Sequence, residues 1–156
     1  MKKIAFISTA VVFVLAALIS FKIAAKGDKN EKSEGIQFYE TNWQQVLDKA
    51  KAENKPIFLD IYASWCGPCK MLKKRTFVNK EVAEYFNKNF INASFDGEVG
   101  DGVMLANKFQ VQGYPTLIVL NANGEVINGT MGYYPPDELL EFGKKSMTLT
   151  ALKPKH

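Results

Sequence analysis

Short apolar runs alternate with amphipathic ones along the chain, after an N-terminal segment that is largely apolar. Runs rich in β-branched and aromatic residues predict strands, and apolar residues spaced three or four apart predict helices. The run 56–62 is too apolar for a half-exposed strand and predicts a central, buried one. The predicted order is β-α-β-α-α-β-α-β-β-α, which indicates an α/β fold with a mixed sheet flanked by helices.

Local sequence patterns set the expected boundaries. Strands are predicted over 36–40, 56–62, 90–95, 116–120 and 125–131, and helices over 42–54, 69–76, 80–88, 102–109 and 135–147. Thr41 and Asn79 are the expected N-caps of the first and third helices, and Asp101 is that of the fourth. Asn123-Gly124 is typical of a hairpin turn and would join the last two strands.

The N-terminal apolar segment predicts export from the cytoplasm. Two lysines precede an uninterrupted run of 18 apolar and small residues, Ile4 to Phe21. As a helix this run would span about 27 Å, close to the hydrocarbon thickness of a bilayer, about 30 Å. Its length favours an uncleaved membrane anchor, whereas Ala24 and Ala25 offer the small residues of a cleaved signal peptide. Both alternatives stay open, and both predict a periplasmic site or an outward-facing one on the cytoplasmic membrane.

Composition indicates one globular domain with accessory segments. The 156 residues are 47% hydrophobic, enough for a packed core. The expected organisation is a targeting segment over 1–25, a charged linker over 26–35, one domain over 36–147 and a polar tail over 148–156. The formal net charge of +4 falls to +1 without residues 1–25, which hold three lysines and no acid. A nearly neutral body gives no reason to expect nucleic-acid binding.

The chain's two cysteines, Cys66 and Cys69, follow the central strand at the start of a predicted helix. Two are too few for a disulfide scaffold. They are also too few for a four-ligand zinc site, because His156 is the only histidine, so we expect no metal and no cofactor. A Cys-x-x-Cys pair at a strand-to-helix junction is typical of a dithiol redox site.

The helix start gives the two thiols different expected roles. Unpaired backbone N–H groups and the helix dipole stabilise a thiolate, so we expect Cys66 to be the exposed nucleophile. Pro68 suits the first helical turn, where its missing N–H is not needed. Cys69 lies one turn later and is placed to attack the mixed disulfide that Cys66 forms with a substrate.

Asp60 is the candidate acid–base residue. It lies in the middle of the apolar central strand, where an unpaired carboxylate is costly. The alternation of this strand leaves open whether Asp60 points to solvent or is buried. A buried carboxyl with a raised pKa, close to the dithiol, could shuttle the proton of Cys69, and we favour that role.

Residues 37–147 resemble the thioredoxin superfamily, especially its exported, membrane-associated members. The motif Trp-Cys-Gly-Pro-Cys-Lys at 65–70 is similar to the thioredoxin active site, and Asp60 precedes it at the spacing of the family's buried acid. Gly-Tyr-Pro-Thr at 113–116 looks like the loop whose cis-proline packs beside the dithiol. The resemblance implies a four- or five-stranded sheet and a cis peptide bond before Pro115. It also implies these substrate-binding residues: Trp65, Gly67, Pro68, Tyr114, Pro115 and Gly132.

Two residues depart from the family pattern. Asn92 stands where thioredoxins commonly carry a lysine near the buried acid, so the pKa of Asp60 is expected to be set differently from that of the family's acid. Tyr114 is bulkier than the usual aliphatic residue before the proline, which puts the substrate preference in doubt.

The resemblance implies a protein-disulfide reductase that acts outside the cytoplasm. Its partners would be disulfide-containing client proteins and a membrane electron donor, with membrane contact through the N-terminal segment if that segment is uncleaved. The sequence leaves two alternatives open: a disulfide oxidase or isomerase with the same site, and a non-catalytic binding or chaperone-like module. A metal carrier is disfavoured, because Met104, Met131 and His156 show no ligand spacing.

Overall fold

The computed structural model describes residues 35–39 and 41–152, which form an α/β sandwich. The strands are β1 (Ile57–Tyr62), β2 (Ile91–Asp96), β3 (Thr116–Leu120) and β4 (Val126–Met131). The helices are α1 (Trp43–Glu53), α2 (Gly67–Met71), α3 (Lys80–Asn89), α4 (Asp101–Lys108) and α5 (Pro136–Leu152). A π-helical turn, Leu72–Thr76, continues α2 directly.

The expected targeting segment, over 1–25, lies outside the described residues, as do nearly all of the linker and residues 153–156. In the ranges that are described, no helix is both long enough and apolar enough to span a bilayer.

The four strands form one mixed sheet in the order β2-β1-β3-β4, with β1 parallel to β2 and antiparallel to β3. β1 is central, as its apolar sequence predicted, and its first five residues are buried. β4 pairs antiparallel with β3 through the predicted hairpin, in which Gly124 has a φ of +83°. Residues with a Cβ rarely adopt that conformation, so the hairpin turn requires glycine there. The predicted fold class is confirmed.

The predicted first strand, over 36–40, is wrong in extent. Among the described residues of this segment, only Tyr39 forms a bridge, to Ala93 of β2. The N–H of Ile36 instead donates to the carbonyl of Phe77, at 2.7 Å, just after the π-helical turn. The segment therefore crosses from the helical layer to the sheet and adds no full strand.

Helix α1 begins one residue later than predicted, because Asn42 caps it and Thr41 does not. The Oδ1 of Asn42 accepts from the N–H of Gln45 at 3.0 Å. Asp101 is likewise not an N-cap: it is the first residue of α4, and its carboxylate accepts the N–H of Trp43 at 2.7 Å. That bond satisfies one of the free N–H groups of α1 and ties the starts of the two helices together.

The start of α3 was predicted correctly, and the end of α5 was not. Asn79 caps α3 as predicted, accepting from the N–H groups of Glu81 and Val82 at 3.0 and 3.2 Å. Helix α5 runs to Leu152, so residues 148–152, expected to belong to the tail, continue the helix. The hydroxyls of Thr148 and Thr150 donate to carbonyls one turn earlier. Leu149 and Leu152, three residues apart, continue the helical spacing that was predicted to end at Met147.

Two apolar clusters cover the two faces of the sheet. Phe58 lies in one cluster with the buried residues of α3 and α5, and Ile57, Leu59 and Ile61 lie in the other with those of α1 and α4. Each large apolar side chain buried in this way contributes about 1.5–3 kcal/mol. Because side chains alternate along a strand, Asp60 shares the α3–α5 face with Phe58.

Candidate active site

Cys66 and Cys69 form a disulfide at the start of α2. Cys66 is the N-cap of that helix, and the N–H of Cys69 donates to its Sγ at 3.1 Å. In the reduced protein the same N–H group would face a thiolate, and a donor in that position stabilises the anion. The role of Cys66 as the attacking thiol stays a prediction, and this hydrogen bond is the feature that supports it.

The prediction that Cys66 is exposed is wrong for this oxidised state, in which only 2% of the residue is accessible. Ala63 and Cys69 pack against it, together with the rings of Tyr62 and Tyr114. These contacts leave both cysteines almost inaccessible to solvent in the oxidised state.

Trp65 forms an exposed wall beside the disulfide, with 66% of its surface accessible. Its ring meets that of Tyr114 edge to face, with the centroids 6.1 Å apart. Its Nε1 donates to both carboxylate oxygens of Glu98, at 3.1 and 3.0 Å. Sequence reasoning missed Glu98, which lies in the acidic loop after β2 and carries no motif that links it to the cysteines.

Gly97, next to Glu98, lets Tyr114 approach this loop closely. A Cβ at position 97 would lie 2.5 Å from the Tyr114 hydroxyl oxygen, closer than real Cβ contacts. Glycine is therefore required there while the tyrosine ring keeps its place. The bulky residue that departs from the family pattern is accommodated by a glycine in the neighbouring loop.

The peptide bond between Tyr114 and Pro115 is cis, as the resemblance implied. The hydroxyl of Thr116 donates to the carbonyl of Gly113 at 2.7 Å, and the N–H of Gly132 donates to the carbonyl of Pro115 at 2.8 Å. Gly132 therefore lies at this loop, where a glycine bordering the groove was expected. Its role in substrate binding, like that of Gly67 and Pro68 on the exposed start of α2, stays a prediction.

Asp60 is buried, with 1% of its surface accessible. Its Oδ2 accepts from the hydroxyl of Ser94 at 2.8 Å, and its Oδ1 has no hydrogen-bond partner among the described residues. Burial raises the pKa of Asp60 to about 6, against the opposing effects of the Ser94 hydrogen bond and the positive charge of Lys73. Of the two alternatives left open by the sequence, the structure thus shows the buried one.

Asn92 is not the polar partner of Asp60. Its side-chain amide donates to the Oδ1 of Asn87 at 3.2 Å. In the parallel register of β1 and β2, Asp60 lies opposite Ser94, while Asn92 lies opposite Phe58. Sequence reasoning missed Ser94, because the register of two separate strands cannot be read from either strand alone.

Comparison with known proteins agrees with this geometry. The family model of the thioredoxin-like domain matches residues 43–146. The chain belongs to the thioredoxin-like domain family. Thioredoxin H4 of Arabidopsis thaliana is 33% identical over 114 residues, which cover 70% of this chain and 87% of that one. The thiol:disulfide interchange protein DsbD of Yersinia pestis is 35% identical over 85 residues, which cover 54% of this chain and 14% of that protein.

The thioredoxin-like domain also matches solved structures. A Bacteroides thetaiotaomicron protein described as a candidate disulphide-isomerase is 38% identical, with a TM-score of 0.64, over 78% of this chain and 98% of that one. Some curated relatives are far longer, and the chain spans 13% to 14% of their length. The relatives support a thiol-disulfide oxidoreductase with Cys66 and Cys69 as its Cys-x-x-Cys pair.

Proposed function

We propose that this protein reduces disulfides in client proteins outside the cytoplasm, with Cys66 as the attacking thiol and Cys69 as the resolving one. The observation that carries the proposal is the Cys66–Cys69 disulfide at the start of α2, with the Cys69 N–H directed at the Cys66 Sγ. A thiolate at a helix N-terminus is stabilised by unpaired N–H groups and is the reactive species in disulfide exchange.

The reaction starts from the reduced pair. The Cys66 thiolate attacks one sulfur of the client disulfide, forms a mixed disulfide and releases the other client sulfur as a thiolate. Cys69, after losing its proton, attacks the Cys66 sulfur and displaces the second client thiolate. The client gains two electrons, and the Cys66–Cys69 pair is left oxidised, the state that the structure represents.

Asp60 takes the proton of Cys69 in this scheme. A general base acts best when its pKa is near the working pH, and burial raises that of Asp60 to about 6. Its Oδ1, without a partner among the described residues, is free to accept a proton. A carboxylate in an apolar site also gains a proton at a lower cost than one in water.

The location and direction rest on sequence and resemblance. The apolar segment Ile4 to Phe21 follows two lysines, which supports export. The Gly-Pro pair between the cysteines resembles that of reducing family members. A reductase outside the cytoplasm needs an electron source, so we include a membrane electron donor as a partner. The likeness to DsbD, named as a thiol:disulfide interchange protein, supports this part of the proposal.

The deciding experiment combines the redox potential of the full chain with its reduction of insulin. We expect a potential nearer to that of thioredoxin, about −270 mV, than to that of a strong oxidant, about −120 mV. Cys69→Ser should trap a mixed disulfide with insulin, and Cys66→Ser should trap none. A potential near −120 mV would overturn the reductase assignment. Labelling of Cys66 in intact cells by a membrane-impermeant maleimide tests the location.

An isomerase is the second candidate, because the Bacteroides thetaiotaomicron protein described as a candidate disulphide-isomerase shares 38% of its sequence with this chain. An isomerase would use the same Cys66 attack but return to the dithiol state without net oxidation. Reactivation of scrambled ribonuclease without added reductant would favour this alternative. Insulin reduction that depends on added reductant, without reactivation of the ribonuclease, would favour the reductase.

A further inference from the structure

Asp60 is held by one oxygen only. Ser94, directly opposite in the β1–β2 register, donates its hydroxyl to Oδ2 at 2.8 Å. Oδ1 is buried and has no partner in the part of the chain that the structure describes. The carboxyl is thus anchored through one oxygen only, and its other oxygen stays free to gain or lose a proton.

A lysine reaches this region from the helical layer. Lys73 lies in the π-helical turn after α2, and its Nζ lies 3.3 Å from the ring centroid of Tyr62, two residues after Asp60 on the same strand. π-helical turns are rare and often occur at functional sites. The charge of Lys73 favours the ionised form of Asp60. On β2, where the family commonly places its lysine, this chain has Asn92, which bonds elsewhere.

A cavity lies beside Ser94 and Lys73. It has a volume of about 400 Å³, and its lining includes Ser94, Lys73, Tyr62 and Phe77. That volume is enough for several water molecules, each of which occupies about 30 Å³ in the liquid. Ser94 thus contacts the buried Asp60 through its hydroxyl and also borders the cavity.

We propose that Ser94 and Lys73 are positioning residues for Asp60: together they keep the carboxyl ready to accept the proton of Cys69 and connect it to water in the cavity. The proposal rests on the proposed function, since it concerns the resolving step of disulfide exchange. In this chain the Ser94 hydroxyl and the Lys73 charge would together replace the lysine that the family commonly carries at the position of Asn92.

The proton path balances in two stages. Cys69 gives its proton to Oδ1 of Asp60 and attacks the Cys66 sulfur, and the bond from Cys66 to the client sulfur breaks with the electron pair leaving on the client thiolate. The carboxyl then turns about its Cβ–Cγ bond and passes the proton to the Ser94 oxygen. Ser94 gives its own proton to cavity water, so that Asp60 returns to the carboxylate.

The groups that act on Asp60 come from three elements: Tyr62 on its own strand, Ser94 on β2 and Lys73 on the π-helical turn. Ser94 and Lys73 lower the pKa of Asp60, and burial raises it. Removing either residue should therefore move protonation of Asp60 to higher pH. The buried hydrogen bond from the Ser94 hydroxyl should be little affected by salt, whereas the effect of the exposed Lys73 charge on the pKa of Asp60 should fade at high salt.

The test uses four variants of the full chain: Ser94→Ala, Ser94→Thr, Lys73→Met and Lys74→Met. Lys74 is the exposed neighbour of Lys73 and serves as its control. Titration of the Asp60 carboxyl by carbon-13 NMR should show a higher midpoint in Ser94→Ala and Lys73→Met. The midpoint should be unchanged in Ser94→Thr, which keeps the hydroxyl, and in Lys74→Met. An unchanged midpoint in both Ser94→Ala and Lys73→Met would overturn the proposal.

Kinetics then connect the titration to the reaction. At pH 5.5 we expect Ser94→Ala to reduce insulin about tenfold more slowly than the parent protein, which corresponds to a shift of about one pH unit. At pH 8, where Asp60 is ionised in both proteins, only the loss of the proton relay should remain, so the difference in rate should be smaller than at pH 5.5. An equal loss at both pH values would show that Ser94 does not control the protonation of Asp60 and would overturn its positioning role. If the parent protein reduced no disulfide at any pH, the proposed function would fail, and the NMR titration would still decide the inference.

Discussion

The indole Nε1 of Trp65 is hydrogen-bonded to both carboxylate oxygens of Glu98, at 3.1 and 3.0 Å. This contact holds a largely exposed tryptophan against the loop that follows β2. The same loop contributes Gly97, against which Tyr114 packs. The face beside the disulfide is therefore shaped by a segment that is distant from the cysteine motif in sequence.

Replacing Glu98 by alanine should free the Trp65 ring, because the indole loses its charged acceptor. Glu98→Gln is the matched control, since its amide oxygen still accepts from Nε1. Time-resolved fluorescence anisotropy should show faster motion of Trp65 in Glu98→Ala only. The free energy of unfolding should change by less than about 1 kcal/mol, because the contact is exposed to solvent. The buried Trp43 contributes the same fluorescence background to both variants. Equal motion of Trp65 in Glu98→Ala and Glu98→Gln would show that the hydrogen bond to Glu98 does not restrain the ring.

Gly97→Ala should destabilise the protein by about 1–3 kcal/mol, because the new methyl group overlaps the Tyr114 hydroxyl. Gly129→Ala is the control, since a Cβ there would meet its nearest neighbour, the Leu117 carbonyl oxygen, at an ordinary 3.8 Å. Chemical denaturation measures both. In the double variant Gly97→Ala/Tyr114→Leu the ring is removed, so part of the stability lost in Gly97→Ala should be recovered. If the change in the free energy of unfolding of the double variant equals the sum of the changes in the two single variants, the clash is not the cause.

Asp60→Asn should stabilise the oxidised protein near neutral pH. The pKa of Asp60 rises from 3.8 to about 6 on folding, so the folded state binds a proton more tightly than the unfolded state. Stability therefore falls as pH rises from about 4 to 6, and the asparagine variant should escape this loss. The difference should reach at most about 3 kcal/mol at pH 7 and vanish near pH 3.

Urea denaturation of both proteins at pH 3, 5 and 7 measures this dependence. The side-chain oxygen of an asparagine at position 60 can still accept from the Ser94 hydroxyl. Both proteins keep this hydrogen bond, so it does not cause the difference in stability between them. A stability gain of the same size at all three pH values would show that ionisation of Asp60 is not its cause.

The cysteine pair, the central strand and the Pro115 loop could be predicted because each is encoded in a continuous run of residues. The hydrophobic pattern sufficed for β1, since a strand buried on both faces is apolar along its whole length. The cis bond before Pro115 followed from the resemblance alone. In each case the sequence neighbours carry the information.

Ser94, Lys73 and Glu98 could not be predicted in this way. The contact between Ser94 and Asp60 depends on the register of β1 against β2, and a shift by one residue would turn another side chain toward the acid. Lys73 reaches Tyr62 from a π-helical turn, which the helical pattern of the sequence does not distinguish from α-helix. Glu98 meets Trp65 through the path of a loop. These contacts are set by tertiary packing.

The start of α1 is stabilised by a local cap, Asn42, and by a tertiary contact from Asp101, and their contributions can be measured separately. Asn42→Ala should cost about 1 kcal/mol, because the N–H of Gln45 loses its acceptor. Asp101→Ala should cost a similar or larger amount, because it removes the 2.7 Å bond to the N–H of Trp43 and with it a link between α1 and α4. Thr41→Ala should change the free energy of unfolding by only a few tenths of a kcal/mol, since Asn42 provides the cap. Urea denaturation of the three variants measures these costs, and a loss in Thr41→Ala equal to that in Asn42→Ala would contradict the assignment of the cap.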